Sequence, residues 1–131
     1  MAVRGIRGAT TVDSNTREEI ISKTKELLES ILEKNEILIK DIASVIFSVT
    51  DDIDAEFPAV ASRALGWIYT PLFCNREIPV EGSLKGCIRV LFHVNSDKEQ
   101  EEMVHVYLHK AKNLRPDLNT VQKGKYYYSD E

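Results

Sequence analysis

The sequence predicts an α+β domain in which a mixed β-sheet is packed by helices. Two observations carry this. Apolar residues keep helical spacing over one long stretch after Thr16, while residues 3–12, 44–49, 70–75, 87–94 and 103–109 are short runs of extended character, several of them alternating. The 131 residues, 43% hydrophobic and 29% charged, suit one globular domain large enough for its own core.

Residues 3–12 read as the first strand, and Gly5 and Gly8 within it allow another backbone to come close. The long helix follows. Thr16 and Glu19 have capping-box spacing, and Glu18 and Glu19 load the first turn with negative charge. Ile20, Thr24, Leu27, Leu28, Ile31 and Leu32 then form one buried face, and Lys34 and Asn35 supply a C-terminal cation and a breaker. Residues 44–49 form the second strand, and the acidic cluster Asp51, Asp52 and Asp54 a loop. Pro58 opens a short helix running to about Leu65 and closed by Gly66. A short third strand over 70–75 gives way to a loop-rich stretch, 76–86, that holds Pro79, Gly82 and Gly86. The fourth strand covers 87–94, and the charge run 97–102 is a solvated turn or helix. In 103–109, Val104, Val106 and Leu108 share one face while His105, Tyr107 and His109 share the other. Residues 120–131 are polar, with consecutive tyrosines and no periodicity, and read as a mobile tail.

Composition narrows the function. A net charge of −4 argues against nucleic acid as a partner, and no apolar run is long enough to cross a membrane. The two cysteines, Cys74 and Cys87, fit a reducing cytoplasm better than a disulfide framework, and they read as small buried hydrophobes. The N-terminus enters a strand without a signal-peptide pattern, so a cytoplasmic location is expected. His93, His105 and His109 have no metal-site spacing, and Arg4-Gly5-Ile6-Arg7-Gly8 is neither a P-loop nor a dinucleotide fingerprint. No Ser or Cys has a base partner at catalytic spacing, so neither a metal, a cofactor nor a nucleophile is expected.

The most informative residue is Arg89. Alternation sets Ile88, Val90, Phe92 and Val94 on a core face and Cys87, Arg89, Leu91 and His93 on the other. A guanidinium stays charged and is costly to leave unpaired in apolar surroundings, so this strand has an anion to hold. On the first strand Arg7 shares a face with Gly5 and Ala9, whose size leaves room for a ligand. If these faces meet Tyr107 of the last strand, two guanidinium groups and a phenol converge on one cavity suited to a small carboxylate.

Together these residues resemble a known family. Residues 4–11 (RGIRGATT), Phe57-Pro58-Ala59, Gly66-Trp67, Cys87-Ile88-Arg89-Val90, His105-Val106-Tyr107-Leu108 and Leu114-Arg115-Pro116-Asp117-Leu118 are similar in order and spacing to the monofunctional AroH-type chorismate mutases. The resemblance implies a homotrimeric pseudo-α/β-barrel with active sites between subunits. It also implies the Claisen-type rearrangement of chorismate to prephenate in phenylalanine and tyrosine synthesis. It places the domain at 1–118, with 119–131 as the tail. By motif, Arg7 would bind a substrate carboxylate with Tyr107, Arg89 would donate to the ether oxygen, and Cys74 and Glu77 would contact the ring hydroxyl region. Phe57, Ala59, Arg63 and Phe73 would form the neighbouring wall, with Leu114 and Arg115 closing the site; Arg89, Glu77 and Arg7 are the expected catalytic set. Val60 and Phe73 stand where the family pattern has a lysine and a small polar residue. Two other readings remain open: a non-catalytic trimeric module that binds a small carboxylate, and an imine or enamine deaminase of similar fold.

Overall fold

The computed structural model describes residues 1–114 and 125–128. The chain runs through strand β1 (Ala2–Thr11), helix α1 (Arg17–Asn35), β2 (Ile42–Val49), α2 (Ala59–Ala64), β3 (Leu72–Arg76), β4 (Cys87–Ser96), β5 (Val104–Tyr107) and β6 (Lys125–Tyr128). The six strands form one mixed sheet in the order β3-β2-β4-β1-β5-β6. β4 pairs antiparallel with both β1 and β2; β1 with β5, β2 with β3, and β5 with β6 are parallel pairs.

One sheet face carries the helices. Ile6, Val45, Phe47, Phe92 and Val94 are buried there with Leu27, Leu28 and Ile31 of α1 and Ala61 of α2. Each large aliphatic side chain so buried contributes about 1.5–3 kcal/mol relative to exposure. Trp67 closes the layer edge-on to Phe92, with ring centroids 6.0 Å apart. Gly8 is what lets α1 come this close, because a Cβ there would lie 2.7 Å from Ile31 Cδ1 and 3.1 Å from the Val106 carbonyl oxygen. Gly5 has no such role: a Cβ there would meet nothing nearer than Leu91 at 4.0 Å.

The helix ends differ from the sequence reading. Thr16 does accept the Glu19 N–H at 3.3 Å, but the Glu19 carboxylate accepts from Asp13 N, not from the cap residue. Asn35 is no breaker. It is the last helical residue and is buried, and its side-chain amide pairs with the backbone of Val104 like a short piece of strand, accepting from N at 2.7 Å and donating to O at 2.9 Å. The helix stops one residue later, where Glu36 takes a left-handed backbone with φ 54°. His109 also leaves the expected alternation: its φ is 54° and it opens a 3₁₀ turn over His109–Asn113.

The largest departure is β6. Lys125–Tyr128, expected in a mobile tail, forms the edge strand beside β5. Its alternation is hidden because consecutive tyrosines look alike in sequence. Tyr126 and Tyr128 stack with Tyr107 on the helix-free face, and Tyr127 turns the other way, under Lys34 Nζ of α1 at 4.4 Å. The rest of the expected tail lies outside the described residues.

Candidate active site

The helix-free face of the sheet gathers the chemistry. Arg89 on β4 stands between Ala9 of β1 and Ser48 of β2, two small residues that leave its guanidinium room. Arg7 is a diagonal neighbour, paired across β1 with Leu91. Two like charges on adjacent strands repel, so this face attracts an anion whatever the chain's net charge.

Glu77 partly offsets that charge. β3 ends at Arg76, and the Glu77 N–H donates to the Val49 carbonyl at 2.8 Å, which carries the pairing with β2 one residue further. The Glu77 carboxylate thereby crosses β2. One oxygen accepts from Ser48 Oγ and the other lies 3.7 Å from Arg89 Nη1. The ion pair is loose, and the Arg89 side chain keeps 42% of its exposure, so guanidinium N–H groups remain for a ligand.

Arg7 is held at both ends. Its backbone N–H donates to His105 Nδ1 at 2.9 Å, and its Nη2 donates to Tyr126 Oη at 3.0 Å. His105 therefore has to be neutral at Nδ1, and burial, with the Arg7 charge second, lowers its pKa to about 4. Burial raises the Tyr107 pKa against the opposing pull of Arg7, so its phenol is a neutral donor at ordinary pH.

Arg7, Ser48, Glu77, Arg89 and Tyr107 line one cavity of about 330 Å³. A second, of about 240 Å³, continues from Glu77 and Arg89 to Cys87 and Leu114. Burial pushes the Cys87 thiol up to about 12, leaving it protonated. Phe57 and Cys74 are elsewhere, in a cavity of about 530 Å³ with Ile53 and Pro58. Among the described residues no cluster of His, Cys, Asp and Glu could hold a metal ion.

This anion-seeking face fits what the comparisons found. The family described as chorismate mutase type I matches residues 3–118. The chain belongs to the type I chorismate mutases. The chorismate mutase AroH of Bacillus subtilis (strain 168) is 51% identical to this mutase over 120 residues, 91% of this chain and 94% of that protein. The Thermus thermophilus chorismate mutase AroH is 50% identical over 121 residues, 92% of this chain and 99% of that one. A solved chorismate mutase from Clostridium thermocellum superposes with a TM-score of 0.82 at 53% identity, covering 83% of this chain and 97% of that one. The mutase is thus an isomerase of aromatic amino acid biosynthesis with the AroH-like fold, which sets aside the deaminase and binding-module readings.

Within one mutase chain the expected site residues do not all meet. Arg7, Glu77, Arg89 and Tyr107 meet at one cavity, and Leu114 joins them through its neighbour. Cys74 and Glu77 do not share a cavity. β3 directs Cys74, paired with buried Phe47, toward the helix face, and Phe73, paired with Ile46, the other way. Arg63 is exposed on α2 beside Ala59, and Arg115 lies outside the described residues. Sequence reading missed Ser48, His105 as the backbone partner of Arg7, and Tyr126. Ser48 sits on the polar side of an alternating strand, but a strand serine is too common to single out before its register against Arg89 is known.

Proposed function

We propose that this mutase works as a cytoplasmic homotrimer and rearranges chorismate to prephenate in sites built from two subunits. One subunit supplies Arg7, Glu77, Arg89 and Tyr107, and its neighbour supplies Phe57, Ala59, Arg63, Phe73 and Cys74. The observation that carries the reading is the half-exposed Arg89 guanidinium, tethered loosely to Glu77 at the floor of the 330 Å³ cavity. The separation of Phe57 and Cys74 from Arg7 and Arg89 within one chain supports the shared site. So do Phe57, 69% exposed beside the cavity that holds Cys74, and Phe73, 64% exposed on the other face of β3, each an apolar side chain that a second copy can cover. Both cysteines are free, in keeping with a reducing compartment.

The reaction is unimolecular: an ether C–O bond breaks as a C–C bond forms, and no atom enters or leaves. Two contributions remain for the protein. Arg7 and Tyr107 hold a carboxylate, and with the neighbour's wall they fold the enolpyruvyl arm over the ring, removing the entropic cost of that conformer. Bond breaking runs ahead of bond making, so negative charge grows on the ether oxygen. A preorganised Arg89 stabilises that charge more in the transition state than in the ground state. Glu77 accepts from the ring hydroxyl, helped by Cys74 of the neighbour, and Leu114 closes the entrance.

Loss of chorismate ultraviolet absorbance measures turnover directly. The shared site is tested by complementation. Arg89→Ala and Arg63→Ala variants, each weak alone, are unfolded together and refolded as a mixture. Activity above the sum of the separate variants is expected, because some sites then join two intact walls. No gain over that sum refutes the two-subunit site.

A further inference from the structure

We propose that Tyr126 is a positioning residue for substrate binding: strand β6 sets its hydroxyl against the Arg7 guanidinium and aims that fork into the cavity. The inference rests on Arg7 as a carboxylate ligand and adds a residue beyond the family match, which ends at residue 118.

Three observations support it. First, Arg7 Nη2 donates to Tyr126 Oη at 3.0 Å. Second, the ring that carries this hydroxyl is fixed on several sides. Its centroid lies 6.1 Å from Tyr107, 6.1 Å from Tyr128 and 5.1 Å from His105, and the register of β5 with β6 sets Tyr126 opposite His105. Third, β6 is tied to the opposite face of the fold through Tyr127 and Lys34. The strand is therefore anchored on both faces at the point where it meets the site.

The chemistry of the partner matters. A carboxylate in the place of Tyr126 would hold Arg7 as well, but it would neutralise the charge that draws the substrate. A phenol oxygen accepts one N–H and leaves the guanidinium cationic, with further N–H groups free to bond a carboxylate. Orienting the fork in advance lowers the entropy lost on binding and adds little to the chemical step.

The test is steady-state kinetics with chorismate on Tyr126→Phe, Arg7→Ala and the double variant. Tyr127→Phe is the control for strand integrity. Tyr126→Phe is expected to raise KM about fivefold, the effect of one hydrogen bond, with kcat within twofold of the parent. In the Arg7→Ala background the same change is expected to move KM by less than twofold, because its effect runs through Arg7. Tyr127→Phe leaves KM within twofold. An unchanged KM in Tyr126→Phe, alongside a raised KM in Arg7→Ala, overturns the role of Tyr126 alone. A lowered KM also overturns it, since Tyr126 would then compete with substrate for Arg7. An unchanged KM in Arg7→Ala removes the carboxylate reading of Arg7 and this inference with it.

Discussion

Glu77 stands between Ser48 and Arg89, with one carboxylate oxygen on the serine hydroxyl and the other 3.7 Å from the guanidinium. The residue that tempers the charge of Arg89 is thus itself held by a third side chain. Exposed or half-exposed ion pairs contribute little to stability, so this arrangement matters for the position of Arg89 rather than for folding.

Removing the cation should stop the chemistry and spare the fold. Arg89→Ala is expected to lower kcat by at least about a hundredfold, the usual effect of losing one transition-state donor. Arg89→Lys should recover little, because a flexible ammonium does not reproduce the fork. Chorismate turnover with the native circular dichroism spectrum as control checks both; a wild-type kcat in Arg89→Ala would refute the assigned role.

Ser48 should matter through Glu77. Losing a hydrogen bond to a partly exposed carboxylate is worth about 0.5–1.5 kcal/mol, so Ser48→Ala is expected to lower kcat/KM by about two- to tenfold. Ser48→Thr, which keeps the hydroxyl, should restore most of it. Equal losses in the two variants would show that packing, not the hydroxyl, is at work.

His105 ties stability to pH. Its folded pKa of about 4 lies below the ordinary histidine value of about 6.5, so between these limits the unfolded chain binds more protons. The contribution is full above about pH 6.5 and is lost as pH falls through about 4; it totals on the order of 3 kcal/mol. Urea titrations from pH 7.5 to 4 should show the decline, and His105→Gln, which keeps an acceptor for the Arg7 N–H, should flatten it relative to the parent. Parallel curves for the two proteins would exclude His105 as the source.

Gly8 should tolerate no side chain. A Cβ at 2.7 Å from the Ile31 Cδ1 methyl and 3.1 Å from the Val106 carbonyl makes the buried Ile31 side chain and the β5 backbone shift, an overpacking cost of about 1–3 kcal/mol. Gly8→Ala should shift the urea midpoint down, whereas Gly5→Ala, with 4.0 Å of clearance, should not. A large loss from Gly5→Ala would mean that the helix-free face is tightly covered, as by a neighbouring subunit.

Much of the site could be read from residues because it depends on short-range order. Alternation along 87–94 separates Arg89 from Ile88 and Val90 without any knowledge of the partner strands, and the Thr16 cap marks the start of α1 in the same local way. Asn35 was misread because a polar residue at a helix end has two uses. Only the nearby Val104 backbone shows that its amide bridges two elements instead of ending one. Tyr126 left no trace, since neighbouring tyrosines carry no alternation and a parallel edge strand needs no local turn to announce it.

The order of residues along each strand settled which side chains share a face, because the backbone pleat repeats every two residues wherever the strand lies. It also set Arg7 and Arg89 apart as cations without local partners. Their meeting was decided by the long-range pairing that seats β1 between β4 and β5 and brings Ala9 opposite Arg89. Cys74 and Glu77, an odd three positions apart along β3 and its extension, fall on opposite faces and line different cavities, and the β2–β3 pairing is what brings Glu77 within reach of Arg89. Register between distant strands depends on how whole faces pack against α1, and no local period encodes that packing.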